Sequence, residues 1–233
     1  MTVIVSAFVP RSGFMVAADG LRLDAKTKQT VCENAQKIYS GVHPMCDLIL
    51  GWCGSTALET PVCGNFNFAE QSPSFLRDKR DTEFESWDRF VWAMATTIYG
   101  SLLFCAGPRI YTQDIPEDPV IAGVLLAGYF RGEPVEAAIC FTHNTGNLCL
   151  PIVKQLRALK GERQSDFGLL SGERDFFYES VKDGPESLIQ SVETAQTYIQ
   201  ESARLWPKKY GGRTHVAFLT QKGFEWRIPP LQS

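Results

Sequence analysis

The residues whose types and order lend themselves to chemistry begin at the second position. Thr2 follows the initiator Met1. Removal of Met1 leaves Thr2 with a free α-amine and a hydroxyl on adjacent carbons. An α-amine titrates at roughly 7.7–8.0. It is therefore partly neutral at physiological pH and placed to take the hydroxyl proton as that oxygen attacks a carbonyl. Three stretches follow that position further groups. Gly13-Phe14-Met15-Val16-Ala17-Ala18-Asp19-Gly20 is a turn and an apolar strand ending in an acid. Asn34-Ala35-Gln36-Lys37-Ile38-Tyr39 places a lysine before an apolar residue. Leu48-Ile49-Leu50-Gly51-Trp52-Cys53-Gly54 is an apolar run closing on glycine, followed by Ser55-Thr56-Ala57.

Thr2, Asp19, Lys37 and Gly54, in that order and at those spacings, resemble the N-terminal half of a proteasome β-subunit-type peptidase, one of the N-terminal-nucleophile hydrolases. The resemblance continues through Leu125-Leu126-Ala127-Gly128-Tyr129 and its hairpin, and through Phe167-Gly168-Leu169-Leu170-Ser171-Gly172. It implies an α+β fold, a four-layer αββα sandwich, and hydrolysis of peptide or amide bonds. In that reading Thr2 Oγ is the nucleophile and its own amine is the general base. Lys37 favours the forming alkoxide, Asp19 pairs with Lys37, the Gly54 N–H faces the oxyanion, and Ser171 supports the amine. The same resemblance implies a homo-oligomer, a ring or stacked assembly, acting on a peptide or amide substrate. Two positions depart from the family. Tyr210 and Pro207 stand where a serine and an aspartate would support the nucleophile, and His215, just past Gly211-Gly212, is a candidate substitute. The competing reading is a catalytically inactive relative with a structural or binding role.

Composition sets the outer limits. The chain has 233 residues, a net charge of −3 and 44% hydrophobic residues. That suits one globular domain over the whole chain and favours neither nucleic acid nor an anionic membrane surface as a partner. Ser6, Pro10 and Arg11 interrupt the first apolar stretch, unlike a secretory signal. Cys32, Cys46, Cys53, Cys63, Cys105, Cys140 and Cys149 are odd in number and lack the spacing of a zinc site. They read as small core residues of a reduced, cytoplasmic protein. Nothing in the pattern calls for a metal or a cofactor.

The elements that must hold these residues are read from periodicity. Residues 2–9, 14–18, 38–42 and 48–52 read as strands of a meander. Ser55 to Glu59 reads as a helix start. Residues 61–81, rich in Pro, Ser, Asn and charge, read as an inserted loop. Residues 84–104 read as a helix with Trp87, Val91, Ile98 and Leu102 on one face. Residues 120–130 and 137–142 pair as strands. Residues 187–204 read as a second helix, and 214–219 with 224–228 as a final hairpin.

Overall fold

The computed structural model describes every residue except 1, 24–28, 56, 112–114, 116, 158–165, 182–183 and 232–233, and leaves aside the side chains of 156, 157 and 180. The chain begins with β1 (Ile4–Val9), β2 (Gly13–Ala18), β3 (Arg22–Leu23), β4 (Thr30–Cys32), β5 (Ile38–His43), β6 (Cys46–Gly54), β7 (Ala57–Thr60) and β8 (Gly64–Asn67). Two helices follow, α1 (Phe68–Asp78) and α2 (Trp87–Ala106). Then come β9 (Val120–Phe130), β10 (Glu133–Asn144), β11 (Asn147–Leu148), β12 (Ile152–Arg157) and β13 (Asp166–Ser171). The chain closes with α3 (Arg174–Ser180), α4 (Leu188–Leu205), β14 (His215–Thr220) and β15 (Gly223–Ile228).

The run of apolar residues in β1 and β2 has a simple cause: both strands are buried on both faces. They sit in a five-stranded sheet of order β13-β1-β2-β14-β15. A six-stranded sheet, β11-β10-β9-β6-β5 with β12 on β10, packs against it. Ile4, Phe14, Val16 and Ala18 point between the sheets towards Ile38, Ile49 and Leu125. Val3, Val5, Met15 and Ala17 point the other way, onto Phe177, Val192, Ala195 and Ile199 of α3 and α4. On the opposite outside, α1 and α2 cover the six-stranded sheet with an aromatic cluster around Phe68, Phe75 and Phe90. The result is the four-layer αββα sandwich. Glu136 of β10 spans the inner interface, where it accepts a short hydrogen bond from the Ser6 hydroxyl.

Three expectations need correction. Residues 61–81 are not an inserted loop. They complete the β7–β8 hairpin and form α1, whose buried Phe68, Ala69, Ser72, Phe75 and Leu76 recur at helical spacing. Pro73 lies inside this helix, and the Asn67 side chain caps its start by accepting from Ala69 N–H. In place of the helix start expected at Ser55–Glu59, Ala57 to Thr60 form β7. Cys63 and Cys105 are disulfide-bonded, with Cα atoms 5.1 Å apart, because the β7–β8 turn lies over the end of α2. Val62 N–H also donates to Cys105 O there. The other five cysteines are free thiols. By length and composition alone α2 would suffice to cross a membrane. Its Phe90, Val91, Met94, Ala95, Ile98 and Leu102 are buried against the sheet.

Candidate active site

Asp19 leaves the end of β2 fully buried, and its carboxylate gathers donors from three parts of the chain. Oδ1 accepts from the Lys37 ammonium at 2.8 Å and from Val3 N–H at 2.8 Å. Oδ2 accepts from Gly211 N–H at 3.2 Å. Val3 N–H belongs to the amide joining Thr2 to Val3. The same oxygen therefore holds the candidate cation and the first peptide unit of a new N-terminus. Lys37 sits just before β5, donates a second bond to Leu21 O at 2.7 Å, and is almost completely buried. Burial is the larger influence on its ammonium and pulls its pKa below the ordinary value, while the Asp19 charge pulls the other way. Such a lysine gives up a proton more readily than a surface lysine.

Backbone packing fixes the pair. Leu21 N–H donates to Gly211 O, Ala35 N–H to Gly20 O and Arg213 N–H to Glu33 O. Segments 19–21, 33–35 and 211–213 are thereby laced together. Gly212, at φ 70°, admits no side chain: a Cβ would lie 2.4 Å from Glu33 O. The Gly211-Gly212 doublet thus serves the Asp19 site through its backbone, a role the sequence reading did not give it.

Thr2 is 4% exposed and lies two residues before the start of β1. Alternation puts its side chain on the face of Ile4, between the sheets. Ile4 pairs with Ser171 on one side and Ala18 on the other, and Ala18 pairs with His215. Ser171, Ile4, Ala18 and His215 therefore form one row on the inner face. The Ser171 side chain lies by the Cys53 thiol, whose pKa burial pushes up to about 12. That thiol is not an activated nucleophile at neutral pH.

Gly54 closes β6 with φ 79°. Ser55 N–H donates to Ile121 O of the β9 side, and Trp52 N–H donates to Lys37 O of the β5 side. Alternation along an antiparallel strand turns Gly54 N–H to the side of Trp52 N–H. There β5 begins only at Ile38, paired with Gly51, so the strand partner stops short of Gly54. The N–H is directed to the Lys37 side of the sheet. A Cβ on Gly54 would lie 2.6 Å from Ile121 O, so the backbone itself demands glycine here.

Tyr210 and His215 have definite places. Tyr210, 3% exposed, donates to Glu173 Oε1 at 3.1 Å, and Lys209 reaches the same oxygen at 3.2 Å. Burial, then the Glu173 charge, drives the Tyr210 pKa upward. Glu173, two residues beyond Ser171, was not singled out in the sequence. His215 is fully buried, with Nε2 2.9 Å from Asn34 Oδ1. The Asn34 amide is oriented by Leu231, accepting from its N–H and donating to its C=O. Nε2 must therefore carry the proton. Nδ1 is an unprotonated acceptor without a partner among the described residues. Burial, then the charges of Arg213 and Lys37, lowers the His215 pKa to about 4. Also among the described residues, no group of His, Cys, Asp and Glu is arranged to hold a metal.

No protein-family model and no curated protein matches the chain. Solved structures do. An Anbu (Gly-1) mutant from Hyphomicrobium sp. strain MC1 is similar at TM-score 0.57, covering 96% of this chain and 84% of that one at 12% identity. Anbu, described as an ancestral beta-subunit, from Yersinia bercovieri is similar at TM-score 0.54, covering 97% and 86% at 15% identity. This likeness shows the fold alone, the four-layer αββα sandwich. It corrects the assignment that the motif residues suggested. The chain matches no proteasome β-subunit-type model, and the similar folds bear the name Anbu at low identity.

His215 makes stability depend on pH with a defined sign. Its folded pKa of about 4 lies below the ordinary histidine value of 6.5, so the unfolded chain binds the proton first. The stabilisation is present above pH 6.5 and is lost as pH falls to 4, by up to about 3 kcal/mol. Urea unfolding between those limits should show this loss in the wild type and a flatter dependence in His215→Gln. Equal slopes would show that His215 is not held neutral.

Proposed function

We propose that the chain is an amidohydrolase of the N-terminal-threonine type, cleaving peptide or amide bonds through Thr2 once Met1 is removed. One observation carries this reading: Asp19 Oδ1 is shared by Lys37 Nζ and the Thr2–Val3 amide, which ties a buried cation to the chain start. Thr2 Oγ attacks the carbonyl carbon and the Thr2 amine takes the proton, passing it later to the leaving amine. Lys37 is the fixed positive charge facing the alkoxide, and Asp19 its positioning residue. Gly54 N–H is the oxyanion donor; one such donor is typically worth about 3–4 kcal/mol. Ser171, on the inner-face row beside Ile4, belongs to the wall around the amine. Water then hydrolyses the acyl-threonine ester and regenerates the hydroxyl.

Self-association belongs to the same proposal. From Phe90 to Ala106 α2 carries no charged residue. Yet Trp92 is 46%, Leu103 36% and Phe104 73% exposed. An uncharged, partly exposed helix face of this kind favours a second copy over water. The neighbour described as a beta-subunit is consistent with it. Light scattering at micromolar concentration should give a multiple of the chain mass that Phe104→Glu reduces; a monomer throughout removes this part.

Turnover of a fluorogenic peptide amide tests the chemistry. Thr2→Ala should lower kcat/KM by about a thousandfold or more at unchanged melting temperature. Lys37→Arg, which keeps the charge and moves the donor, should be comparably damaging. Cys53→Ala should retain most activity, because the thiol stays protonated. Near-wild-type turnover in Thr2→Ala would place the chemistry elsewhere.

A further inference from the structure

β5 is the last strand of the six-stranded sheet, and only one of its edges is paired among the described residues. Trp52 N–H donates to Lys37 O, and Ile38 stands opposite Gly51. The residues of β5 bonded to β6 are therefore Tyr39, Gly41 and His43. The N–H and C=O groups of Ile38, Ser40 and Val42 point outward. Gln36 Nε2 already covers Ile38 O at 2.9 Å. Ser40 and Val42 present the ladder positions of a missing strand.

That edge runs along a groove. One wall is Ser40, Gly41, Val42 and Pro44; the other is Pro73, Leu76, Arg77 and Arg80, from α1 and the turn after it. The concavity holds about 560 Å³. A second one of about 450 Å³ continues past Tyr39 and Ser74, with Arg77 and Pro73 common to both. Val42 is 70% exposed although Ile38, on the same strand face, is fully buried. The lining of the larger concavity carries two guanidinium groups and no carboxylate. Arg77 has an acidic neighbour, Asp78, but at 3.7 Å and with both side chains well exposed. Such a pair contributes little and leaves the guanidinium available.

We propose that the β5 edge and the α1 groove form a docking site for an extended peptide segment bearing carboxylates. The peptide adds a strand to β5 through Ser40 and Val42. Its alternate side chains enter the groove, apolar ones against Leu76 and Pro73, acidic ones against Arg77 and Arg80. The six residues of β5 span roughly 20 Å, enough for a segment of five or six residues. The commitment to an acidic peptide rests on charge: Arg77 and Arg80 line the larger concavity, whose own lining holds no carboxylate, so the acidic side chains belong there rather than in its continuation, which Glu70 lines. The site uses no residue of the Asp19–Lys37 pair, so it stands or falls apart from the Thr2 chemistry.

Fluorescence anisotropy with the full chain and a fluorescein-labelled hexapeptide of alternating Val and Asp tests the proposal. Saturable binding is expected, weakened about tenfold by Val42→Pro, which removes an outward N–H not used by the β5–β6 ladder. Arg77→Ala with Arg80→Ala, and a peptide carrying Asn for Asp, should weaken it by a similar factor. If Val42→Pro does not fold, a peptide N-methylated at alternate amides removes the same bonds from the other side and should not bind. Binding indifferent to N-methylation, or no saturation up to millimolar peptide, overturns the proposal. So does a dimer in light scattering that Val42→Pro dissociates, which would assign the edge to a second copy.

Discussion

The structure around the chain start depends on one buried carboxylate. Asp19 is out of reach of water, and an isolated ionised carboxylate in such a place is strongly unfavourable. It persists because Lys37 neutralises it and two backbone N–H groups, from Val3 and Gly211, occupy its oxygens. Removing one partner of a buried pair of this kind typically costs about 3–5 kcal/mol, since the other charge is stranded. A hydrophobic pair of the same volume would hold the sheets together at least as well. The ion pair is therefore better explained by what it positions than by what it stabilises.

What it positions follows from the sandwich. Two sheets face each other, so β1 and β2 are apolar on both sides except at Ser6, which is bonded to Glu136, and the end of β2 is a place where a charge fits. Asp19 takes that place. The segments carrying Lys37 and Gly211 come close enough to reach it because Gly20 and Gly212 let the backbones touch. Burial then acts on Lys37 and His215 in the same direction, disfavouring the charged form of each. Lys37 is offset by Asp19; His215, whose charged form the Arg213 and Lys37 charges also disfavour, has no such partner among the described residues and is held neutral. The site is thus a dry region with one compensated cation, and there a nearby dipole or charge counts for more than in water.

Much of this was legible in the sequence. The near-continuous apolar run of residues 14–18 announced a strand buried on both faces, and the order of Thr2, Asp19 and Lys37 announced the pair that the structure brings to 2.8 Å. The final hairpin and the long helices were readable because their periodicity is uninterrupted. The misses have physical causes. α1 was hidden by Pro73 and by a polar outer face, though Phe68, Ser72, Phe75 and Leu76 keep helical spacing. The Cys63–Cys105 bond joins residues 42 apart, and the spacing of cysteines says nothing about which turn lies over which helix. Glu173 was invisible because its importance comes from Tyr210 and Lys209, contacts set by tertiary packing. The family assignment failed for a different reason: short motifs report local geometry, which a fold can share at 12–15% identity without shared membership.

The central claim is that Thr2, freed of Met1, is an activated nucleophile beside the Asp19–Lys37 pair. The most direct measurement is intact-protein mass spectrometry before and after exposure to an epoxyketone, an electrophile that reacts with an amine and hydroxyl on adjacent carbons. The account predicts a starting mass lacking methionine, a single added equivalent of reagent, and fragmentation that places it on Thr2. A mass that retains Met1, or a processed chain that stays unmodified while remaining folded, would contradict it.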